Sequence, residues 1–339
     1  MKINKSQLLE ALEIVKPGLA NKEIIEQATS FAFMKDRVVT YNDEISISHP
    51  IEGLDLYGAI QAEALYKFLG KIKKDELDLE LKDNQIILTT GRAKAGLAIQ
   101  AEITLPLETE IAEKGKWKKL PENFNKFMFM AMNACSKDMS KPLLTCVNVR
   151  KDGIIEGCDN YRIINCNFGM EMLVDTFLIP ASSVADVVKL QPTKIANGKG
   201  WMHFLNAQDT IISCRIIEEV YPSTSHLLNI KGIRLILPNT TNEVLDRAMV
   251  FSKRDRALDE MVDVSIADRR FKMTAKNDSS WFEEDVNMKY DGEPIQFSIT
   301  PHLLKSILLE TKECLISDNN SVLKFEGEGW QYMSMLRNI

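Results

Sequence analysis

The side chains of this chain that could carry chemistry are its histidines, cysteines and acidic pairs, and their spacing decides whether they do. His49, His203, His226 and His302 lie far apart, none at metal-ligand spacing from a cysteine or a second histidine. Cys135, Cys146, Cys158, Cys166, Cys214 and Cys314 form no Cys-x-x-Cys pair and read as reduced, mostly core thiols of an intracellular protein. Gly198-Lys199-Gly200 and Gly327-Glu328-Gly329 lack the downstream glycine of a dinucleotide fingerprint, and no Gly-x-x-x-x-Gly-Lys phosphate loop occurs. Glu218-Glu219 and Glu283-Glu284 suit solvated faces. The sequence therefore predicts no catalytic residue, no metal and no cofactor. A nucleic-acid enzyme assembled from distant positions is the remaining enzymatic alternative. One segment has binding rather than catalytic chemistry: Cys158-Asp159-Asn160-Tyr161-Arg162-Ile163 sets an aromatic and an arginine after an Asp-centred turn, the residue types that anchor interfaces. The simpler alternative there is a surface pair between Arg162 and Asp159.

The elements that must position this segment recur. The apolar helical stripe Leu8, Leu9, Leu12, Val15 returns as Phe127, Met128, Ala131, Ala134 and again as Val244, Leu245, Ala248, Phe251, a period of about 118 residues. A second stripe, Leu65, Phe68, Leu69, returns as Val184, Val187, Val188 and as Leu304, Ile307, Leu308. It trails the first by 57, 57 and 60 residues. Each copy reads as helix, strands, helix, strands, with turns at Lys35-Asp36 and Asn42-Asp43, at Lys151-Asp152-Gly153 and Cys158-Asp159, and at Ala267-Asp268 and Asn277-Asp278. Later hairpin turns are expected at Lys82-Asp83-Asn84, Gln208-Asp209 and Asp318-Asn319-Asn320. A helix with one apolar stripe must lay it on a sheet. The fold expected is α+β: three tandem domains, each of two helices and a β-sheet, over 1–115, 116–234 and 235–339, with polar connectors at Glu108–Lys119 and Asn229–Asn239. The run Phe127-Met128-Phe129-Met130-Ala131-Met132 could be an adaptable binding face, but its spacing matches the core stripes of the other copies.

At 339 residues the chain exceeds one ordinary core. No apolar stretch reaches the roughly 18 residues that span a bilayer, and no signal-peptide core follows Met1, so a cytoplasmic protein is expected. The net charge of −6 argues against a polyanionic partner until it is divided. Segments 1–16, 62–74, 121–137, 180–194, 240–256 and 300–312, read as the six helices, together carry +8 and leave −14 elsewhere. Mildly basic helices on an acidic body suit one surface that meets a polyanion.

At Gly157–Ile163 the chain resembles the bacterial DNA sliding clamp, the beta subunit of replicative DNA polymerase III, whose middle domain carries Ala-Thr-Asp-Gly-aromatic-or-His-Arg-Leu. Pro142-Leu143-Leu144-Thr145 resembles that family's Pro-x-Leu stretch. Tyr221-Pro222 resembles the aromatic-Pro pair closing its middle domain, and Tyr332–Arg337 resembles its terminal strand. The departures are Asn160 in place of the turn glycine, accommodated because asparagine adopts left-handed geometry, a missing terminal proline, and the extension Asn338-Ile339. They mark a divergent member, with cellular and phage origins both open.

The resemblance implies a processivity factor without chemistry of its own: a head-to-tail homodimer closed into a ring, twelve helices lining the channel and sheets outside. Double-stranded DNA would be encircled without sequence preference. Partners would be a DNA polymerase, a clamp loader and no membrane. The alternative is a ring-shaped assembly scaffold that no longer binds DNA. By matched position the peptide pocket comprises Leu144, Cys158, Asn160, Tyr161, Arg162, Ile163, Pro222, His226, Leu227, Met335, Leu336 and Arg337, with Arg162 and Arg337 framing the rim. DNA contacts are expected at Lys22, Lys67, Lys71, Lys73, Lys74, Lys137, Lys141, Arg247 and Lys253, with Lys126, Lys189, Arg254 and Lys305 as further candidates. The dimer contact is expected between Leu97 and Ile99 of one copy and Val250 and Phe251 of the other.

Overall fold

The computed structural model describes residues 1–107, 117–255 and 259–337. The connector Lys114-Gly115-Lys116, with the expected 115/116 boundary, and the Asn338-Ile339 extension lie outside the described residues. Among the described residues one element string occurs three times. The first runs β1 (Lys2–Asn4), α1 (Lys5–Val15), β2 (Ser30–Lys35), β3 (Arg37–Tyr41), β4 (Ile45–Pro50), β5 (Leu56–Gln61), α2 (Ala62–Lys71), β6 (Glu76–Lys82), β7 (Gln85–Thr90) and β8 (Ala93–Gln100). The second runs β9 (Lys118–Lys119), α3 (Phe124–Ala134), β10 (Cys146–Val149), β11 (Ile154–Cys158), β12 (Arg162–Asn167), β13 (Phe177–Pro180), α4 (Ala181–Leu190), β14 (Lys194–Asn197), β15 (Trp201–Leu205) and β16 (Ile211–Arg215). The third runs β17 (Gly232–Ile236), α5 (Thr241–Phe251), β18 (Val262–Ala267), β19 (Arg270–Lys276), β20 (Trp281–Asn287), β21 (Ile295–Ile299), α6 (Pro301–Leu308), β22 (Glu313–Ser317), β23 (Val322–Gly327) and β24 (Trp330–Met335).

The stripes read from the sequence are the buried faces of these helices. Leu8, Leu12 and Val15, then Phe127, Met128 and Ala131, then Val244, Leu245 and Ala248 are all buried. Met128 and Met130 are buried too, which makes the methionine run core packing, although Phe129 is half exposed.

The chain divides into two compact units. One holds 1–125 and 182–218, the other 126–181 and 219–339. The first contains a twelve-stranded sheet, ordered β1-β6-β7-β8-β5-β2-β3-β4-β16-β15-β14-β9. The second contains an eight-stranded sheet, β13-β10-β11-β12-β24-β23-β22-β17, and a four-stranded one, β20-β19-β18-β21. The middle repeat is thus shared. Its last strand, β16, zips antiparallel onto β4 of the first repeat, Ile211–Cys214 against Ser48–Ile45. Its third sheet strand, β12, zips onto β24 of the third repeat, Arg162–Cys166 against Ser334–Trp330. Both joints pair the same two strand types of the repeat. By that pattern two strands are left over: β8, which among the described residues pairs along Ala93–Ala98 only with β7, and β20, which among them pairs only with β19.

The helix spans correct the charge reading. The six observed helices carry +1 between them; Lys16, Lys73, Lys74, Lys137, Lys194, Lys253, Arg254 and Lys312 lie just past their C-terminal ends. Unsatisfied carbonyls and the helix dipole favour cations there. Two ammonium groups reach such carbonyls directly: Lys312 Nζ donates to Leu308 O, and Lys5 Nζ donates to Ile72 O at 3.3 Å.

Candidate functional site

The segment Cys158–Ile163 forms the turn between β11 and β12. Asp159 Oδ1 accepts from the backbone N–H of Tyr161 (2.7 Å) and Arg162 (2.9 Å), and Asp159 N–H donates to Arg162 O at 3.1 Å. The same device occurs in the other two repeats. Asn42 Oδ1 accepts from Glu44 and Ile45, and Asn277 Oδ1 accepts from Ser279 and Ser280. The equivalent of Asp159 is therefore Asn42 and Asn277, one residue earlier than the aspartates suggested. Asn160 does not take the left-handed geometry expected of it, since it is not among the residues with positive φ. The Asp159 side chain already satisfies the turn.

Arg162 points inward. Its Nε donates to Asp159 Oδ2 at 3.1 Å, and the side chains of Arg162 and Asp159 are only 10% and 13% exposed. The expected pair therefore exists, but it is not a surface pair, and Arg162 is not a free rim cation. Its charge opposes the burial that raises the pKa of Tyr332, whose hydroxyl donates to Leu303 O at 2.8 Å. Nearby His302 is lowered, chiefly by burial and then by Arg162.

Pairing of β11, β12 and β24 sets Cys158, Ile163 and Met333 in one cross-strand row, all buried. Met335 N–H donates to Tyr161 O at 2.7 Å, and Met335 is 51% exposed. Leu336 is buried. Arg337 is exposed and exchanges both backbone hydrogen bonds with Ser298. The connector bearing Pro222, His226 and Leu227 is pinned from below. Tyr221 Oη meets Cys158 Sγ at 3.1 Å, and Thr224 Oγ1 donates to Glu156 Oε2 at 2.7 Å. Glu156 is buried, and its other oxygen accepts from Asn148 Nδ2 at 2.8 Å. Burial, then Cys158, pushes the Tyr221 phenol far up. Leu144, half-buried, lies in the helical turn Pro142–Thr145. The groups that can meet a ligand are thus Tyr161, Pro222, His226, Leu227, Met335 and Arg337, with Cys158, Ile163 and Leu336 beneath them. Sequence reasoning missed Glu156, Thr224 and Tyr221 as the supports. Only the Tyr-Pro pair hinted at them.

The expected DNA contacts fall into two sets. Lys67 pairs with Glu63 and holds that carboxyl below its usual range. Lys141 Nζ donates to Asn160 Oδ1 at 2.8 Å, Arg247 makes a two-pronged pair with Glu284 at 2.7 Å, and Lys253 stands 4.0 Å from Glu260. Lys126, Lys189 and Lys305 also hold carboxylates. Lys22, Lys71, Lys73, Lys74 and Lys137 are exposed and, among the described residues, form no ion pair.

At the open edges, Phe251 stacks on Phe282 of β20 with ring centroids 5.6 Å apart, and Val250 and Trp281 are exposed. Ile99 is already buried against Gly58, where an added Cβ would sit 2.7 Å from its Cγ1. The edge of β8 therefore offers Leu97, not Ile99. All six cysteines are free and buried. Among the described residues no group of three or more His, Cys, Asp or Glu could hold a metal, and no helix is long and apolar enough to cross a membrane.

No family model matches the chain, and no curated protein matches it. Solved structures do. The sliding clamp (DNA polymerase III subunit beta) of Pseudomonas aeruginosa bound to griselimycin superposes with TM-score 0.84 at 14% identity, covering 100% of this chain and 99% of that one. The DNA polymerase sliding clamp of Bacillus subtilis gives 0.84 at 18%, covering 100% and 98%. The DNA polymerase III beta subunit of Thermotoga maritima gives 0.80 at 15%, covering 100% and 99%. The chain has the α+β fold of these proteins along its whole length.

Proposed function

We propose that this protein is a sliding clamp: two copies close head to tail around duplex DNA and tether a replicative DNA polymerase through the pocket at Tyr161, Leu227 and Met335. A clamp loader would open the ring. The three repeats act as its domains, close to the expected 1–115, 116–234 and 235–339, with the third beginning at β17 (Gly232–Ile236). The observation that carries this reading is the pair of leftover strand edges. Inside the chain, β16 joins β4 and β24 joins β12; β8 and β20 are the same two strand types, each still unjoined. A second copy can pair them twice, which covers both of these edges and yields a closed point-group assembly. Leu97 would meet the Phe251–Phe282 stack there. Likeness to solved clamps supports the same reading.

Unpaired lysines beyond the helix ends would touch phosphates weakly, so topology rather than grip retains the ring. Sedimentation tests the closure. The protein should run at twice its 38.5 kDa mass, and a β8 edge variant, Lys94→Pro with Leu97→Lys, should run as a folded monomer that no longer stimulates the polymerase. A wild-type monomer, or a variant that still dimerises, would remove the edge pairing.

A further inference from the structure

The exit of α2 faces the β7–β8 turn across a cleft of about 530 Å³. Lys71, Lys73 and Lys74 line it from the helix side and Arg92 from the turn; Phe68 and Ile72 form an apolar floor. Among the described residues none of these four cations is in an ion pair, unlike Lys67, Lys126, Lys189, Arg247 and Lys305, which all hold carboxylates. The neighbouring acid, Asp75, is turned away to Ser6 Oγ at 2.6 Å and Lys5 Nζ at 3.7 Å.

Two details show a shaped site rather than a solvated lysine run. Gly91, at φ +59°, lets the turn pass under Lys74, whose ammonium stands 3.1 Å from where a Cβ would be. Thr90 also lines the cleft. It is 9% exposed, and its hydroxyl is buried without a hydrogen-bond partner, a state that native proteins rarely leave uncompensated.

We propose that this cleft binds the phosphate of a nucleotide, with Lys71, Lys73, Lys74 and Arg92 around the phosphate oxygens and the sugar or base against Phe68 and Ile72. Four converging cations exceed what one carboxylate needs and suit a phosphate of charge −1 to about −2. The floor gives the remainder of a nucleotide an apolar surface. The phosphate could come from a nucleic-acid strand or from a free nucleotide. The strand is the source if the clamp reading holds, and only that part rests on it.

The test is lysine acetylation footprinting at 150 mM salt with pyrophosphate, with a 5′-phosphorylated single strand and with a duplex of equal length, together with titration calorimetry. Pyrophosphate should slow acetylation of Lys71, Lys73 and Lys74 at least fivefold relative to Lys199. Lys73→Gln with Arg92→Gln should weaken pyrophosphate binding at least tenfold, and Thr90→Val about threefold. Protection by pyrophosphate and by the single strand supports the cleft and its strand source; protection by pyrophosphate alone keeps the cleft and overturns the strand. Protection by nucleic acid without pyrophosphate, or equal binding by the double variant, overturns the cleft. Retention of the same variant on circular DNA separates the two readings. Retention with lost pyrophosphate binding leaves the clamp standing, whereas a wild type that is not retained sinks the clamp and leaves the pyrophosphate result untouched.

Discussion

Replacing Arg162 should damage the fold before it damages recognition, and replacing Tyr161 should do the reverse. The Arg162–Asp159 pair is nearly buried, and Asp159 Oδ2 has the guanidinium as its hydrogen-bond partner. Breaking a fully buried pair costs about 3–5 kcal/mol. Here Asp159 Oδ1 keeps both backbone donors and the carboxylate keeps some contact with water, so about 2–3 kcal/mol is expected for Arg162→Ala. Tyr161 is half-buried with its backbone fixed by the turn, and Tyr161→Ala should cost about 1 kcal/mol or less. Urea denaturation gives the stabilities, and fluorescence anisotropy with a leucine- and phenylalanine-bearing peptide from a partner polymerase gives the affinities. Tyr161→Ala should lower affinity at least tenfold with little loss of stability. Arg162→Ala should shift the unfolding midpoint markedly, and its affinity loss should recover when the fold is stabilised. Equal stabilities for the two variants would refute the inward arginine. A double Tyr161→Ala, Arg162→Ala variant mixes the two effects and tests neither.

Other outcomes follow from the same geometry. Burial depresses the pKa of His203 from 6.5 to about 4. Its stabilising contribution is therefore complete above pH 6.5 and lost as pH falls toward 4, about 1.4 kcal/mol per unit and roughly 3 kcal/mol in all. His203→Gln should flatten that part of the stability–pH curve, leaving a smaller slope from His49 and His302, which burial also depresses; an unchanged curve would place the titration elsewhere. Thr224→Val removes the donor that ties the pocket connector to buried Glu156, and should cost about 1.5–3 kcal/mol in urea unfolding while weakening peptide binding several-fold. Unaltered peptide affinity would mean that the connector is held by Tyr221 alone.

The repeat and the helices were legible because an apolar stripe at helical spacing has one use, laying a face on a sheet, and three copies in step leave little else. The hairpin turns were legible for a related reason: Lys35, Asp43, Asp83, Asn84, Asp209, Asp268 and Asn320 all take the left-handed backbone that turns require. Four things were not. The helices stop earlier than their periodicity, so cations counted on helix faces lie past the ends. The direction of Arg162 depends on Asp159 and Tyr332, and Tyr332 is far away in sequence. The turn register slipped by one because Asn42, Asp159 and Asn277 perform the same bonding with different residue types. The open edges of β8 and β20 emerge only from the pairing of strands more than a hundred residues apart, which no local pattern records.

The claim that two copies form a closed ring around DNA is tested most directly by retention. Protein loaded on a nicked circle should stay bound at salt concentrations that strip contact-held proteins, and should leave within moments when the same circle is cut once. Equal loss from circle and linear DNA, or equal persistence on both, would mean that contact rather than closure holds the protein in place.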